Sequence, residues 1–165
     1  MPHREAWLRD TPVTLDPVRP LLLCTLEQAQ EEVAKATLGL SDSQIWQQPY
    51  GLTPLGFHIR HITGSMDRLL TYAEGQDLSE AQLGVLRAEL SDQMPLSGLW
   101  EEFSLGLATS RLRIESLDGK ALRATRYIGR ARIATQLGTL LAHIAEHTQR
   151  HMGQIATTAK LLRAL

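Results

Sequence analysis

Residues 140–155 read LLAHIAEHTQRHMGQI and place His143, His147 and His151 at a spacing of four. Apolar residues recur every three or four positions through the same segment, and this period predicts an amphipathic helix over residues 135–162, about 40 Å long. The chain has six histidines in all. Because positions four apart lie on the same side of a helix, half of these histidines form one slanting stripe.

The same period predicts three more long helices. The first spans residues 21–38, the second spans residues 54–75 with Thr53 as its N-cap, and the third spans residues 96–116. Each contains an apolar stripe that could face a common core. In the third helix, the apolar residues on or near one face are Leu99, Phe103, Leu107 and Leu112.

Two shorter elements and one basic connection lie between the long helices. A capping box from Ser79 to Gln82 predicts a short helix in SEAQLGVLRAEL. A single helical turn in SDSQIWQQPYG would be capped by Ser41 or Ser43. The segment KALRATRYIGRARI, residues 120–133, has five basic residues and no acidic one, and we interpret it first as a solvated connection.

The composition favours an all-α fold. Aromatic residues make up 5% of the chain, and the abundant Leu, Ala, Gln, Glu and Arg suit helices better than strands. We therefore predict an antiparallel-type four-helix bundle with a short additional helix. A length of 165 residues predicts a single domain, residues 1–165, that buries a core without disulfides. Residues 1–19, rich in proline, form an irregular lead-in.

Charge and hydropathy argue against several classes of partner. The 17 Lys and Arg residues are balanced by 18 Asp and Glu residues, a net charge of -1, which predicts no binding of nucleic acid. No segment approaches the ~18 consecutive apolar residues of a membrane span, so we expect no membrane association. The single Cys24 and the lack of a signal-peptide pattern predict a cytoplasmic protein.

A helical wheel separates the histidines. In the last helix His151 lies about 40° from the centre of the apolar stripe, His147 about 80° and His143 about 120°. The first two therefore face or flank the interior, and imidazoles at this spacing can bind one metal ion. In the second helix His58 lies about 70° from the stripe and His61 about 130°. Periodicity alone thus favours His58 as the partner of the pair.

The segments GFHIRHITGSMDRLLTY and HIAEHTQRHMGQI resemble those of the DinB/YfiT-like superfamily of metalloenzymes, named after damage-inducible DinB-like proteins. Members are four-helix bundles, commonly dimeric, that hold a metal through three histidines. One lies in an H-I-x-G context on the second helix, and two form an H-x-x-x-H pair on the last helix, followed by x-G-Q. The resemblance thus implies a DinB/YfiT-type four-helix bundle, a homodimer and the metal ligands His61, His147 and His151. We take His61 over His58, because a ligand at the mouth of a bundle need not lie on the centre of the apolar stripe.

Three histidines leave at least one coordination position for water or substrate, which is the arrangement of a catalytic site. We expect a divalent metal, Zn or Ni first, with Fe, Co or Mn as further candidates. Characterised members of the resembling family include transferases and isomerases that use a low-molecular-weight thiol. The resemblance therefore implies a metal-dependent S-transferase or isomerase that acts on a small electrophile with such a thiol as cosubstrate.

Two other functions remain open: a metal-dependent hydrolase of small molecules, and a non-catalytic helical metal-binding module. The pattern HTQRH lacks the glutamate of the H-E-x-x-H zinc-protease motif, which argues against peptide hydrolysis by that mechanism. The family name refers to induction by DNA damage, so a part in the stress response is also implied. No catalytic residue can be assigned from the sequence.

Four residues are candidates for supporting the metal or binding the substrate. His58, one turn before His61, could orient a water or substrate, and Gln154 lies about 60° from His151 on the last helix. Arg126 and Arg130 of the basic segment could bind the carboxylates of a thiol.

Overall fold

The computed structural model describes residues 5–6, 16–91 and 93–165. Within these residues the chain forms, in order, α1 (Val18–Thr37), α2 (Asp42–Ile45), α3 (Leu55–Ala73), α4 (Glu80–Ala88), α5 (Leu96–Ser116), β1 (Thr125–Ile128), β2 (Ile133–Gln136) and α6 (Leu137–Ala164). The long helices α1, α3, α5 and α6 form the predicted four-helix bundle, which confirms the fold class. Most of the predicted lead-in, residues 1–19, lies outside the described residues, and its last two residues belong to α1.

The long helices surround one hydrophobic core, in which α1 contacts α5 and α6, and α3 contacts the same two helices. Arg163 in the last turn of α6 donates a hydrogen bond to the carbonyl of Ala36 in the last turn of α1, at 2.7 Å, so α1 and α6 run parallel. Arg19 at the start of α1 donates to the carbonyl of Leu117, just beyond α5. Helices α1 and α5 are therefore antiparallel.

Helices α3 and α5 also run parallel. Arg60 of α3 pairs with Glu102 of α5 at 3.1 Å, and further along both helices Asp67 pairs with Arg113 at 2.6 Å. Two of the four neighbouring pairs among the described long helices are thus parallel, and the antiparallel-type expectation is wrong for them. The physical reason is that the connection from α3 to α5 crosses back along the bundle before α5 begins.

Helix α4 forms most of this crossover. The predicted capping box is present, since the Ser79 side chain accepts from the backbone N–H of Gln82 and the Gln82 side chain accepts from that of Ser79. The Gln82 amide also donates to Asp67 at 2.7 Å and to Thr71 at 2.8 Å. These bonds hold α4 against α3, and the end of α4 lies beside the first half of α3.

The core residues of α5 follow the predicted stripe with one correction. Leu99, Phe103 and Leu107 are buried, whereas Leu112 is 68% exposed and Ile114 is buried instead. The prediction for Leu112 is wrong because, at about 100° per residue, Leu112 lies on the opposite side of α5 from Leu99, Phe103 and Leu107, whereas Ile114 lies on the same side as they do. None of the helices in the described residues is both long and apolar enough to cross a membrane.

A small hairpin lies between α5 and α6 and was not predicted. Strand β1 pairs with β2 in antiparallel register, with Thr125 opposite Gln136 and Ile128 opposite Ile133. The turn begins at Gly129, whose φ of +67° favours glycine. The basic segment that we interpreted as a solvated connection is therefore partly a β-hairpin.

Candidate metal centre

The four-residue spacing on α6 brings two histidines to the same side of the bundle. His151 is buried, at 9% exposure, and His147 is half-buried one turn earlier. His143 lies on the rim, where its Nδ1 is 3.3 Å from Oε2 of Glu146. The structure thus agrees with the helical wheel in separating His143 from the other two.

Antiparallel packing of α3 against α6 brings His61 to this pair. Nε2 of His61 lies 3.1 Å from Nε2 of His147, and the ring centroids of His61 and His151 are 4.6 Å apart. Each of the three residues offers one nitrogen, and these nitrogens all lie within 4.8 Å of one another. The His61, His147 and His151 side chains therefore form a group that could hold a metal ion.

The donor set fits a divalent cation. Two nitrogens that each lie ~2.0–2.1 Å from a tetrahedral zinc ion are about 3.3 Å apart, close to the 3.1 Å between His61 and His147. Imidazole nitrogen is a common ligand for zinc, nickel, iron and copper. Catalytic zinc sites also have three protein donors, and their fourth coordination position stays open for water or substrate.

His58, the alternative that periodicity favoured, has a different position. It is more buried than His61, with 4% exposure, and its Nδ1 lies 2.9 Å from Nδ1 of His151. Its ring therefore contacts one member of the three-histidine group and is not itself a member. The wheel correctly ranked His58 as the more buried residue, but burial did not decide which histidine joins the group.

Sequence reasoning missed an acidic residue that contacts the site. Oε2 of Glu89 lies 2.6 Å from Nδ1 of His61, and Arg68 donates from Nη1 to Oε1 of Glu89 at 2.7 Å. Glu89 is 1% exposed. It follows the last residue of α4, so its approach to His61 depends on the crossover, and no spacing within one helix could have indicated it.

The electrostatics favour neutral imidazoles at the site. Burial and then the nearby ring of His61 lower the pKa of His58 to about 4. Burial, followed by the charges of neighbouring histidines, lowers the pKa of His151 to about 3. Burial and His61 also lower the pKa of His147. At neutral pH these three rings are therefore neutral, which is the form that binds metal ions.

Glu89 carries a negative charge beside these rings. Burial alone would raise the pKa of its carboxyl group, but hydrogen bonds from His61 and Arg68 and their charges lower it below the usual value. The carboxylate therefore stays ionised at neutral pH even though it is almost fully covered.

A cleft of about 450 Å³ has His58 in its wall, and through His58 it adjoins His151 of the three-histidine group. The other residues that line it are Leu52, Thr53, Arg150, Gly153, Gln154, Thr157 and Thr158. Gln154 is exposed there, as expected for a residue that could meet a substrate. Gly153 faces open space, since a Cβ atom at this position would have no neighbour within 4 Å.

The structure does not bring Arg126 and Arg130 to the histidines. Nε of Arg126 donates to the carbonyl of Ala73 at 2.5 Å, and Ala73 lies at the end of α3, about 18 Å along the helix axis from His61. Arg130 lines a separate cavity with Tyr72 and Asp77. The expectation that these two arginines line the site is not met within one chain, because the hairpin packs at the other end of α3.

Fold and site together define a helical-bundle protein with a three-histidine group able to hold a metal ion. Residues 25–155 match the sequence model of the DinB superfamily, and because this match covers most of the chain, the protein belongs to the DinB superfamily. The resemblance carried by HITGS and by HTQRHMGQ is confirmed at the level of the family. Among curated proteins no significant match was found.

Proposed function

We propose that this protein is a metal-dependent enzyme in which His61, His147 and His151 hold one divalent cation, with Zn or Ni as the first candidates. The observation that carries the proposal is the convergence of three imidazole donors, from His61, His147 and His151, within 4.8 Å. A cation held by three protein ligands keeps a position open and lowers the pKa of a thiol or water that fills it.

The residues around the histidines support a small-molecule substrate. The cleft of about 450 Å³ is within the size range of small-molecule sites. The wall of the cleft includes the guanidinium group of Arg150 and the side-chain amide of Gln154. A guanidinium group can bind a carboxylate through paired hydrogen bonds. We therefore propose Arg150, in place of Arg126 and Arg130, as the residue that binds a carboxylate of the substrate.

We further propose that the nucleophile is a low-molecular-weight thiol and that the reaction transfers it to a small electrophile or isomerises that electrophile. Two things support this proposal: membership of the DinB superfamily, and an arginine beside the cleft that could bind the carboxylate of such a thiol. The residues of this chain would hold the thiol's charged end at Arg150 and its sulfur end toward His61, His147 and His151.

Metal content tests the first part. Protein purified without an affinity tag should contain about one divalent metal per chain by elemental analysis. His61→Ala, His147→Ala and His151→Ala should each lose it while circular dichroism still shows a helical fold. His143→Ala is the matched control and should keep the metal, because His143 lies on the rim beside Glu146.

Thiol chemistry tests the second part. Metal-loaded protein should bind a carboxylate-bearing thiol in calorimetry and should consume epoxides, activated halides or maleyl-type isomers only when that thiol is present. Turnover of small esters or amides without thiol would instead support the hydrolase alternative. A protein that binds metal but neither binds thiols nor turns over these substrates would support the non-catalytic module.

The remaining expectations are proposals too. We propose a cytoplasmic homodimer with a part in the stress response, supported by membership of a family whose members are commonly dimeric. Light scattering coupled to size exclusion would contradict the dimer if the mass corresponded to one chain at micromolar concentration.

A further inference from the structure

Glu89 connects the three-histidine group to a buried arginine. One carboxylate oxygen, Oε2, lies 2.6 Å from Nδ1 of His61, and the other, Oε1, accepts from Nη1 of Arg68 at 2.7 Å. Both Glu89 and Arg68 are buried, with 1% and 7% exposure. A buried carboxylate with a hydrogen-bond partner on each oxygen has little freedom to move, so it restricts the orientation of the His61 ring.

Gly64 leaves the space that this carboxylate occupies. A Cβ atom at position 64 would lie 2.5 Å from Oε1 of Glu89 and 3.1 Å from Nη1 of Arg68. Real Cβ atoms do not approach a neighbour that closely, so any side chain here would displace the carboxylate. Glycine inside a helix costs ~1 kcal/mol relative to alanine, and the close approach of Glu89 is a physical reason for its presence at this position.

The crossover positions Glu89 against α3. Nη1 of Arg60 donates to the carbonyl of Ala88 at 3.3 Å, one residue before Glu89. Near the other end of α4, the Gln82 amide donates to Asp67 and Thr71 of α3. Because hydrogen bonds connect α4 to α3 near both ends of α4, the Glu89 carboxylate has a defined position over Gly64.

We propose that Gly64, Arg68 and Glu89, here called the Glu89 cluster, are positioning residues that direct Nε2 of His61 toward the metal and thereby increase the affinity of the site. This inference rests on the proposed function, in which His61 is a ligand. Because the ionised carboxylate of Glu89 can only accept a hydrogen bond, Nδ1 of His61 is the donor in this contact. In the neutral ring the lone pair then lies on Nε2, the nitrogen that lies 3.1 Å from Nε2 of His147. A carboxylate that accepts from the remote nitrogen of a ligating histidine fixes its tautomer and raises its basicity. Arg68 compensates the charge of Glu89 and holds its second oxygen.

Zinc affinity tests the cluster. Competition with a chromophoric chelator measures the dissociation constant of Zn²⁺ for the full chain. Glu89→Gln keeps the shape but removes the charge, and Gly64→Ala keeps the charge but displaces the carboxylate. Each should weaken zinc binding by about 10- to 100-fold, the range for such supporting residues. Gly84→Ala, in α4, is the matched control and should leave the affinity unchanged, because a Cβ atom there meets nothing within 4 Å.

The double variant separates a shared mechanism from two unrelated effects. If Gly64→Ala acts by displacing Glu89, then combining it with Glu89→Gln should weaken binding much less than the product of the two single effects. If the fold-loss of zinc affinity in the double variant equalled the product of the two single losses, a common mechanism would be contradicted.

A second measurement uses the unaltered protein. Nitrogen-15 NMR of the zinc-loaded chain should show His61 protonated at Nδ1, and protonation at Nε2 would overturn the proposal. Wild-type protein that binds no zinc would contradict the proposed function itself. Tight wild-type binding together with unchanged affinity in folded Glu89→Gln and Gly64→Ala would overturn only the Glu89 cluster.

Discussion

His58 and His151 lie 93 positions apart in the sequence, and their Nδ1 atoms are 2.9 Å apart in a buried contact. Two neutral imidazoles can share such a contact only if one ring donates a hydrogen and the other accepts it. When His151 donates, its lone pair lies on Nε2. His58 can therefore fix the tautomer of His151 in the way that we propose for Glu89 and His61.

The His58 contact predicts a difference between a supporting residue and a ligand. His58→Ala should keep about one metal per chain but bind it roughly 10- to 100-fold more weakly, whereas His151→Ala should lose the metal. Calorimetric titration with Zn²⁺ measures both stoichiometry and affinity. If His58→Ala lost the metal and His61→Ala kept it, His58 would be the ligand from α3, as periodicity alone suggested.

Stability of the metal-free protein should depend on pH. The folded chain lowers the pKa of His58 to about 4 and that of His151 to about 3, from 6.5. Between pH 4 and 6.5 the unfolded chain therefore binds more protons than the folded chain, so the free energy of unfolding falls as the pH falls. Chelator-treated protein should unfold at a lower urea concentration at pH 5 than at pH 7.

A matched variant identifies the groups responsible for that dependence. His58→Gln/His151→Gln removes both groups and should make the urea midpoint depend less on pH between pH 5 and 7. His147, whose pKa is also lowered, accounts for the dependence that remains. The pKa of Glu89 is lowered from its usual value of 4.5, so Glu89 affects stability mainly below pH 4.5. The change between pH 5 and 7 therefore comes mainly from the histidines. An equally steep dependence in the double variant would contradict the assignment.

Two leucines of α5 should respond very differently to truncation. Leu99 is fully buried, whereas Leu112 is 68% exposed. Leu99→Ala should lower the free energy of unfolding by about 2–5 kcal/mol, because it removes buried methyl groups and leaves a cavity. Leu112→Ala should change it by less than about 0.5 kcal/mol. Urea denaturation of both variants checks the corrected orientation of α5, and similar losses in the two would contradict it.

The two basic regions predict different effects on thiol binding. Arg150 lines the cleft beside His58 and is exposed, so Arg150→Gln should weaken binding of a carboxylate-bearing thiol by roughly two- to fivefold, the range of an exposed ion pair. Arg126→Gln should leave thiol binding unchanged, because Arg126 bonds to the carbonyl of Ala73, about 18 Å along α3 from His61. Calorimetry with metal-loaded protein measures both, and the reverse order would place the substrate at the hairpin.

Local patterns predicted much of this structure because they depend on a single helix. The capping box at Ser79, the extent of α5 and the orientation of His143 and His151 all follow from residues close together in the chain. Helix α3 begins one residue later than expected, at Leu55 with Pro54 as N-cap. Such shifts are normal at helix ends.

The features that the sequence did not predict depend on contacts between distant segments. Glu89 reaches His61 only because α4 crosses back along α3, and the parallel direction of α5 follows from the same crossover. The hairpin was missed because its strands, Thr125–Ile128 and Ile133–Gln136, are four residues each, too short to outweigh a helical composition. Arg126 was misplaced for the same reason, since it belongs to β1.

The buried apolar core contacts all four long helices without needing the histidines. Core residues such as Leu55 and Ile62 on α3 and Leu141 and Ile155 on α6 lie before and after the histidines along each helix. The backbones that carry His61, His147 and His151 are therefore preorganised, and treatment with a chelator should leave the bundle folded, unlike small domains whose folding requires zinc. A metal held by these histidines, as we propose, would then exchange without unfolding of the protein, so the identity of the bound ion would follow the metal supply of the cell as well as ligand chemistry.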